Sequence, residues 1–185
     1  MDLHKTNNIS DFDFGNPFEC KSVITETGAT DKAREGKRKT VYIMMGIQGS
    51  GKSTFCRRFL PGTERINLDT LHTRNKEALL IGQCQKEGCD YVVDNTNPTR
   101  EDRARYIPAA KEAGYYVIGY FMQSRLRECI DRNNRREGKE RIAAKAIAMT
   151  SNKLEMPSRE EGFDELYFVE NDGENMNISE WSDEK

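Results

Sequence analysis

The sequence has no long apolar run and no closely paired cysteines, and each absence removes a class of protein. No stretch approaches the roughly 18 consecutive apolar residues that a membrane span requires. The first residues also lack the apolar segment of a secretory signal, so we expect a soluble, intracellular protein that is cytoplasmic or, in a eukaryotic source, nuclear. The five cysteines are odd in number and show no C-x-x-C spacing, which favours reduced packing thiols over a zinc site or a disulfide framework.

Histidine is scarce, and the motifs that read guanine are missing. A 2H-type phosphodiesterase needs two H-x-[ST] motifs, but the only histidines are His4 and His72, and His4 lies in a polar N-terminal segment. No aspartate is followed at the third position by glycine, and no N-K-x-D motif occurs. These absences disfavour a phosphodiesterase of that type and a GTPase switch.

Neither sign of charge dominates, since the formal net charge is −2. This balance disfavours a protein that coats long nucleic acid, but it permits one that binds an end. Cations outnumber acids twelve to seven between residues 100 and 145, whereas acids outnumber cations eleven to two between residues 155 and 185. A polyanion is therefore expected to contact the middle of the chain.

Residues 46–53 form a complete Walker A motif, G-x-x-x-x-G-K-S, directly after the apolar stretch 41–45. A strand that leads into a glycine loop and then a helix directs backbone N–H groups at phosphate oxygens. Lys52 is expected to contact the β- and γ-phosphates, and the hydroxyl of Ser53 to bind Mg²⁺. The sequence thus predicts a site for ATP with Mg²⁺, formed by Gly46, Gln48, Gly49, Ser50, Gly51, Lys52, Ser53 and Thr54.

Strand and helix patterns alternate from residue 40 onward. Strands are predicted over 41–45, 65–68, 91–93, 115–122 and 166–169, and helices over 52–60, 70–86, 100–113, 124–134 and 140–153. Such alternation predicts a P-loop NTPase of the α/β class: a parallel five-stranded sheet with helices on both faces and ligands at the carboxyl ends of the strands. We expect a disordered polar and basic arm over 1–39, one domain over 40–170 and an acidic tail over 171–185.

Two aspartates follow predicted strands and are candidates for chemistry. Asp94 ends the apolar run 91–93 as a Walker B carboxylate does, so it is expected to hold Mg²⁺ next to Ser53; the alternative is a cap on the following turn. Asp69 ends the second predicted strand, where a carboxylate can take a proton from an attacking hydroxyl. Asp69 is also a candidate helix N-cap, and the two roles are compatible.

The segment 132–141 is rich in cations and joins two predicted helices. A mobile lid in a phosphoryl-transfer enzyme has this composition, because guanidinium groups stabilise the charge that spreads over the transferred phosphoryl. Arg132 and Arg136 are the candidates, being about one helical turn apart. A solvated basic helix surface is the alternative.

From about Thr40 to Val169 the sequence resembles the P-loop polynucleotide 5′-hydroxyl kinases, in particular the kinase domain of polynucleotide kinase-phosphatases and its bacterial and phage relatives. The most specific similarity lies in the run Val-Val-Asp-Asn-Thr-Asn-Pro at 92–98, in Arg100, Arg103 and Arg105-Tyr106, in the lid start at 132–135 and in Glu161-Gly162-Phe163. The resemblance implies an adenylate-kinase-like sheet, Asp69 as the general base, Lys52 and Ser53 as phosphate and metal contacts, and Arg136 as a lid arginine that contacts the phosphates.

The leading hypothesis is an ATP-dependent kinase that phosphorylates a hydroxyl, foremost the 5′-OH of DNA or RNA, as in nucleic acid repair. Where this family often has Asn-Arg-Asp, the chain has Asn67-Leu68-Asp69. A kinase for a small hydroxylated molecule, such as a sugar, nucleoside or antibiotic, is therefore the alternative. A non-catalytic nucleotide-binding module is a third.

Overall fold

The computed structural model describes residues 38–182, so nearly all of the predicted arm lies outside the described residues. The strands are β1 (Thr40–Met45), β2 (Glu64–Ile66), β3 (Tyr91–Val93), β4 (Tyr116–Met122), β5 (Glu165–Asn171) and β6 (Met176–Glu180). The helices are α1 (Lys52–Phe59), α2 (Leu68–Leu71), α3 (Arg74–Glu87), α4 (Arg100–Ala104), α5 (Ile107–Glu112), α6 (Leu126–Asn134) and α7 (Ala144–Asn152), with 3₁₀ turns at Gly138–Glu140 and Arg159–Glu161.

The strands form one sheet in the order β2-β3-β1-β4-β5-β6. The first five are parallel, and β6 pairs antiparallel with β5. The predicted α/β class is confirmed, with six strands within residues 38–182 in place of the predicted five. The added strand lies in the segment predicted as an acidic tail, and Trp181 just after it is buried against Phe121 and Phe168. The alternation in 176–180 was too weak to indicate a strand, because all but one of its residues are exposed.

Three predicted helices are shorter than their sequence patterns. The pattern over 70–86 is two helices, because His72 adopts a left-handed conformation (φ 64°) and Thr73 then caps α3. The pattern over 100–113 breaks at Arg105, and α5 begins afresh with a proline in its first turn. The pattern over 140–153 becomes helical only at Ala144.

The sheet buries apolar side chains on both faces. One face packs against α3 and α5 through a large cluster that includes Ile66, Tyr91 and Leu166. The other face packs under α1 through Met44 and Phe55. A third, smaller cluster joins the glycine loop to α6 and α7. Because β2, β3 and β1 are parallel neighbours, their carboxyl ends lie together at one edge of the sheet.

Candidate active site

The glycine loop between β1 and α1 has the backbone conformations that its sequence predicts. Gly49 (φ 80°) and Gly51 (φ 106°) lie in the left-handed region. A Cβ at Gly49 would collide with the carbonyl of Cys129 in α6, and one at Gly51 would collide with the side chain of Asn171. Only glycine therefore fits both the angles and the close approach of these elements.

Side chains from neighbouring strand ends support the loop. The hydroxyl of Ser124, just after β4, accepts a hydrogen bond from the N–H of Ile47 at 3.1 Å. Gln48 donates to the hydroxyl of Thr150 in α7 at 3.2 Å. The side-chain oxygen Oε1 of Gln48 and the hydroxyl of Ser50 are buried without a hydrogen-bond partner in the described part of the chain. Such polar atoms suit a loop that receives a polar ligand.

Lys52, the first residue of α1, is buried and folds back over the loop. Its ammonium donates to the carbonyls of Gly46 and Ile47, both at 2.8 Å. Burial lowers the pKa of Lys52 to about 8, opposed by the negative charge of Asp94 and reinforced by the positive charge of Arg136. A buried cation of this kind is suited to an anionic ligand, which would favour its charged form.

Ser53 and Asp94 meet, as the sequence predicts for a metal site, but a third residue joins them. The Ser53 hydroxyl donates to Asp94 Oδ2 at 2.9 Å. Arg65 in β2 donates to the same carboxylate oxygen, through Nε at 2.7 Å, and to the Ser53 hydroxyl at 2.9 Å. Sequence reasoning missed Arg65, because an exposed cation in a short edge strand carries no distinguishing pattern.

The donor set at this position fits Mg²⁺. Asp94 is 1% exposed, and its Oδ1 has no hydrogen-bond partner among the described residues. Within residues 38–182 no three histidine, cysteine, aspartate or glutamate side chains form a metal cluster. A single carboxylate with a hydroxyl is the kind of site at which Mg²⁺ keeps waters and binds phosphate oxygens. The predicted alternative, a cap by Asp94, has no hydrogen bond of that kind among those observed.

Asp69 lies exposed in the first turn of α2 rather than at the end of a strand. The cap of this helix is Asn67, whose side chain accepts from the N–H of Thr70, so the N-cap role predicted for Asp69 is wrong. Asn67 also donates to the carbonyl of Asp94 at 2.5 Å. The candidate base is therefore tied to the backbone of the candidate metal ligand.

A buried hydrogen-bond network holds the turn that carries Asp69 against α3 and the turn after β3. The Asn95 side chain accepts from the N–H of Leu68 at 2.9 Å and donates to Glu77 at 2.6 Å. The Tyr106 hydroxyl donates to Glu77 at 3.1 Å, and Arg74 donates to both Glu77 and Tyr106 at 2.7 Å. Since Glu77 is 3% exposed, this network joins α3, α5 and the turn after β3 into one support.

The Asn-Thr-Asn-Pro turn after Asp94 is held by a buried arginine. Arg103 is fully buried and forms a bidentate pair with Glu161 at 2.6 and 2.8 Å. It also donates to the carbonyls of Asn97 and Pro98 at 3.3 Å. Two of the motifs that carry the resemblance are thus one structural unit.

The predicted lid begins within α6 and continues past its end. Arg132 is half-buried and donates to the carbonyl of Asn171 at 3.4 Å and to the Glu128 carboxylate at 3.5 Å. Arg136 lies two residues beyond α6, so it does not share a regular helical face with Arg132 as predicted. Arg136 is exposed, and its positive charge contributes to the lowered pKa of Lys52. The buried Asn133 side chain bonds both backbone groups of Ile142 and so closes the loop between them.

Asn171 at the end of β5 is a further site residue that sequence reasoning missed. Its side chain donates to the carbonyl of Ser50 at 3.0 Å, while its own carbonyl accepts from Arg132. Ser124 and Asn171 share one signal that could have revealed them, because each polar side chain stands at or just past the carboxyl end of a predicted buried strand. Thr54, which was predicted to bind the nucleotide, lies exposed in the first turn of α1.

Comparison with known proteins agrees with this geometry. Residues 77–156 match a family model described as an AAA domain, a stretch that begins after the glycine loop and covers less than half of the chain. The bifunctional polynucleotide phosphatase/kinase of Schizosaccharomyces pombe is 28% identical over 137 residues, which cover 70% of this chain and 33% of that protein. The chain therefore spans about a third of the length of this relative.

Solved structures of kinases share the fold. A gluconokinase from Sinorhizobium meliloti 1021 matches with a TM-score of 0.51 and 18% identity over 72% of this chain and 84% of that one. The chain therefore shares the fold of this kinase structure. A chain in the Pnkp1/Rnl/Hen1 RNA repair complex matches with a TM-score of 0.52 and 19% identity, over 66% of this chain and 46% of that one.

The predicted P-loop kinase fold and the predicted resemblance to polynucleotide kinases are confirmed by these matches. The roles of individual site residues stay predictions. In the described residues, none of the helices combines the length and the apolar character needed to cross a membrane.

Proposed function

We propose that the chain transfers the γ-phosphoryl group of ATP to a hydroxyl, and that the acceptor is the 5′-OH of a DNA or RNA end. The observation that carries this proposal is the exposed carboxylate of Asp69 on a turn that Asn67 and Asn95 bind to Asp94 and its neighbour, in a kinase-type P-loop fold. The named relative in Schizosaccharomyces pombe supports a polynucleotide acceptor.

Each site residue has a chemical task in this reaction. Asp69 accepts the proton of the acceptor hydroxyl, whose oxygen forms the new bond to phosphorus as the bond to the ADP oxygen breaks. Lys52 and the loop backbone, 46–53, bind the phosphates, and Arg136 with Arg132 stabilises charge on the transferred group. Ser53 and Asp94 would hold Mg²⁺, which supplies charge neutralisation at the β- and γ-phosphates.

The surroundings of Asp69 favour a polymer end over an enclosed metabolite. Asp69, Thr70, His72 and Thr73 are all exposed. The side chain of Arg74, at the start of the next helix, is 45% exposed. An open rim with a partly exposed cation suits the phosphates of a strand that extends away from its 5′ end.

The test is transfer of labelled γ-phosphate from Mg²⁺·ATP to a panel of 5′-OH DNA and RNA oligonucleotides. A matched set with 5′-phosphate ends is the control, and sugars and nucleosides form a second panel. We expect label on the 5′-OH oligonucleotides alone. Label confined to the second panel would replace the polynucleotide acceptor by a small molecule, and label on neither would contradict the proposed transfer.

A further inference from the structure

We infer that Arg65 occupies the magnesium position as an internal counter-cation. A magnesium-bound nucleotide displaces it from Asp94 and Ser53, whereas free Mg²⁺ does not. The inference rests on the proposed function, because it concerns the metal site of that reaction. It assigns a role to a residue that neither the Walker A pattern nor the Walker B pattern includes.

The contacts of Arg65 coincide with those expected of the metal. Its Nη2 lies 2.5 Å from Asp94 Oδ2 and 2.9 Å from the Ser53 hydroxyl. Its Nε lies 2.7 Å from the same carboxylate oxygen. One guanidinium thus contacts both predicted metal ligands at once. The side chain of Asp94 in this contact is fully buried.

Arg65 and Mg²⁺ exclude each other at these oxygens. Mg²⁺ binds oxygen at about 2.0–2.1 Å with near-octahedral demands, so a guanidinium cannot remain against the same two atoms. Two cations that close also repel strongly where burial limits screening. Metal binding at this position therefore requires Arg65 to leave it.

Free Mg²⁺ is poorly equipped to displace the guanidinium. It gives up its waters reluctantly and would gain only one carboxylate and one hydroxyl from the described residues. A nucleotide adds phosphate oxygens as ligands and brings negative charge beside Lys52. We expect the binding free energy from these additional contacts to offset the loss of the ion pair between Arg65 and Asp94.

The fold offers Arg65 a place to go. A surface pocket of about 250 Å³ lies between the end of α1 and β2, and Arg65 is one of its lining residues. Leu60 and Thr63 are among the other residues that line this pocket. The Arg65 side chain is 37% exposed, so its displacement requires no opening of the core.

The first test is thermal unfolding of the nucleotide-free protein with and without 10 mM MgCl₂. The variants are Arg65→Ala and Arg65→Gln, with Arg57→Ala as the control, because Arg57 is an exposed cation of the same pocket rim without a contact to Asp94 among those observed. We expect both Arg65 variants to have a Tm about 4 to 8 °C below wild type, because a buried carboxylate has lost its cation. Mg²⁺ alone should then raise the Tm of both variants by about 3 °C and leave wild type and Arg57→Ala unchanged.

The second test is the Mg²⁺ concentration that gives half-maximal binding of a fluorescent ADP analogue. We expect this concentration to fall about fivefold in Arg65→Ala and to stay at the wild-type value in Arg57→Ala. If Mg²⁺ alone stabilises neither Arg65 variant, or if both need more Mg²⁺ for nucleotide binding, Arg65 supports the metal site and the inference is wrong. Neither measurement uses an acceptor, so a failure of phosphoryl transfer would be seen separately.

Discussion

Asparagine side chains hold much of the candidate site in place. Asn67 and Asn95 bind the Asp69 turn to the residues that follow β3, and the Asn171 side chain binds the glycine loop to the end of β5, where the backbone carbonyl accepts from Arg132. An amide can donate to a carbonyl and accept from an N–H at the same time, so one side chain can join two segments of irregular backbone. The geometry of the site therefore depends on these neutral side chains as well as on the buried charges of Arg103 and Glu77.

Replacing Asn171 with alanine should weaken nucleotide binding. The Ser50 carbonyl would lose its donor in a buried position, and the loop would lose its side-chain link to the end of β5, while the bond from Arg132 to the Asn171 backbone carbonyl would remain. We expect the Kd for Mg²⁺·ADP, measured by calorimetric titration, to rise about tenfold, the equivalent of one lost hydrogen bond of about 1.4 kcal/mol. Asn175→Ala, an exposed change on the same hairpin, should leave the Kd unchanged; equal affinities in the two variants would argue against the link.

Tyr106→Phe should slow transfer without changing nucleotide affinity. The hydroxyl of Tyr106 is one of the groups that orient Glu77 and Asn95, and these in turn fix the turn that carries Asp69. Because a small misplacement of a reacting group is costly, kcat should fall about tenfold while the Kd for nucleotide stays constant. Tyr115→Phe removes a hydroxyl that bonds the carbonyls of Cys84 and Cys89 in the core, and it should lower stability while preserving kcat.

Two carboxylate side chains, those of Asp164 and Glu161, each bind groups from separate elements of the fold. Asp164, just before β5, accepts from the N–H of Val117 at the start of β4 and pairs with Lys111 in α5 at 2.5 Å. Glu161, in the 3₁₀ turn Arg159–Glu161, accepts two hydrogen bonds from Arg103 in α4. These contacts fix the order of elements around β4 and β5, on which the position of Asn171 depends.

The Asp164 contact should contribute stability that depends on pH. Partial burial raises the pKa of Asp164, but the bonds from Lys111 and from the N–H of Val117 outweigh it, so the net pKa is below the ordinary value of 3.8. A depressed carboxyl pKa stabilises the fold above that value, and the contribution is lost as pH falls through the lower folded pKa. The Tm difference between wild type and Asp164→Asn should therefore be constant at pH 5 to 7 and shrink below about pH 4. A difference that stays the same at pH 3 would contradict this contribution.

The sheet has one strand more than the alternating strand and helix pattern of the sequence predicts. β6 adds an antiparallel edge to five parallel strands, and Trp181 after it closes the core against Phe121 and Phe168, with ring centroids 5.5 and 6.4 Å away. The same β5 and β6 hairpin brings Asn171 and Met176 against Gly51. The segment 171–181 thus contacts both the core and the glycine loop.

Trp181→Ala should destabilise the domain as a unit. Loss of a buried tryptophan costs about 3 kcal/mol, so the Tm should fall by about 6 to 12 °C in a single transition. Trp181→Phe keeps most of the apolar contact and should fall by less than half as much. A shift below about 2 °C in the alanine variant would indicate that β6 and its tryptophan contribute little to the fold.

The sequence predicts the site best where chemistry demands a fixed spacing. The glycine loop, Lys52, and the meeting of Ser53 with Asp94 follow from a motif with narrow backbone requirements. Arg65 was not predictable, because its role arises from the register between β2 and β3, which places Arg65 opposite Val92 near Asp94. The capping error at Asp69 has a similar cause, since Asn67 two residues earlier satisfies the helix end first.

Larger features were missed for a different reason. The helix pattern over 70–86 continues through His72 and Thr73 because both are compatible with a helical period, whereas the observed turn depends on tertiary bonds of Asn67 and Asn95. β6 is an edge strand whose apolar alternation is limited to Met176 and Ile178, with the other three residues polar. In both cases packing against distant residues decided the local structure.

The most direct test of the proposed reaction is a paired measurement on wild type and Asp69→Asn. Transfer of labelled γ-phosphate to a 5′-OH oligonucleotide and the Kd for Mg²⁺·ATP are measured on the same preparations, with Asp172→Asn, an exposed carboxylate on the β5 and β6 hairpin, as the control. We expect transfer by Asp69→Asn to fall at least about a hundredfold with a Kd within a factor of two, because a general base acts on the chemical step alone. Transfer that survives within tenfold of wild type would contradict the assignment of Asp69 as the base.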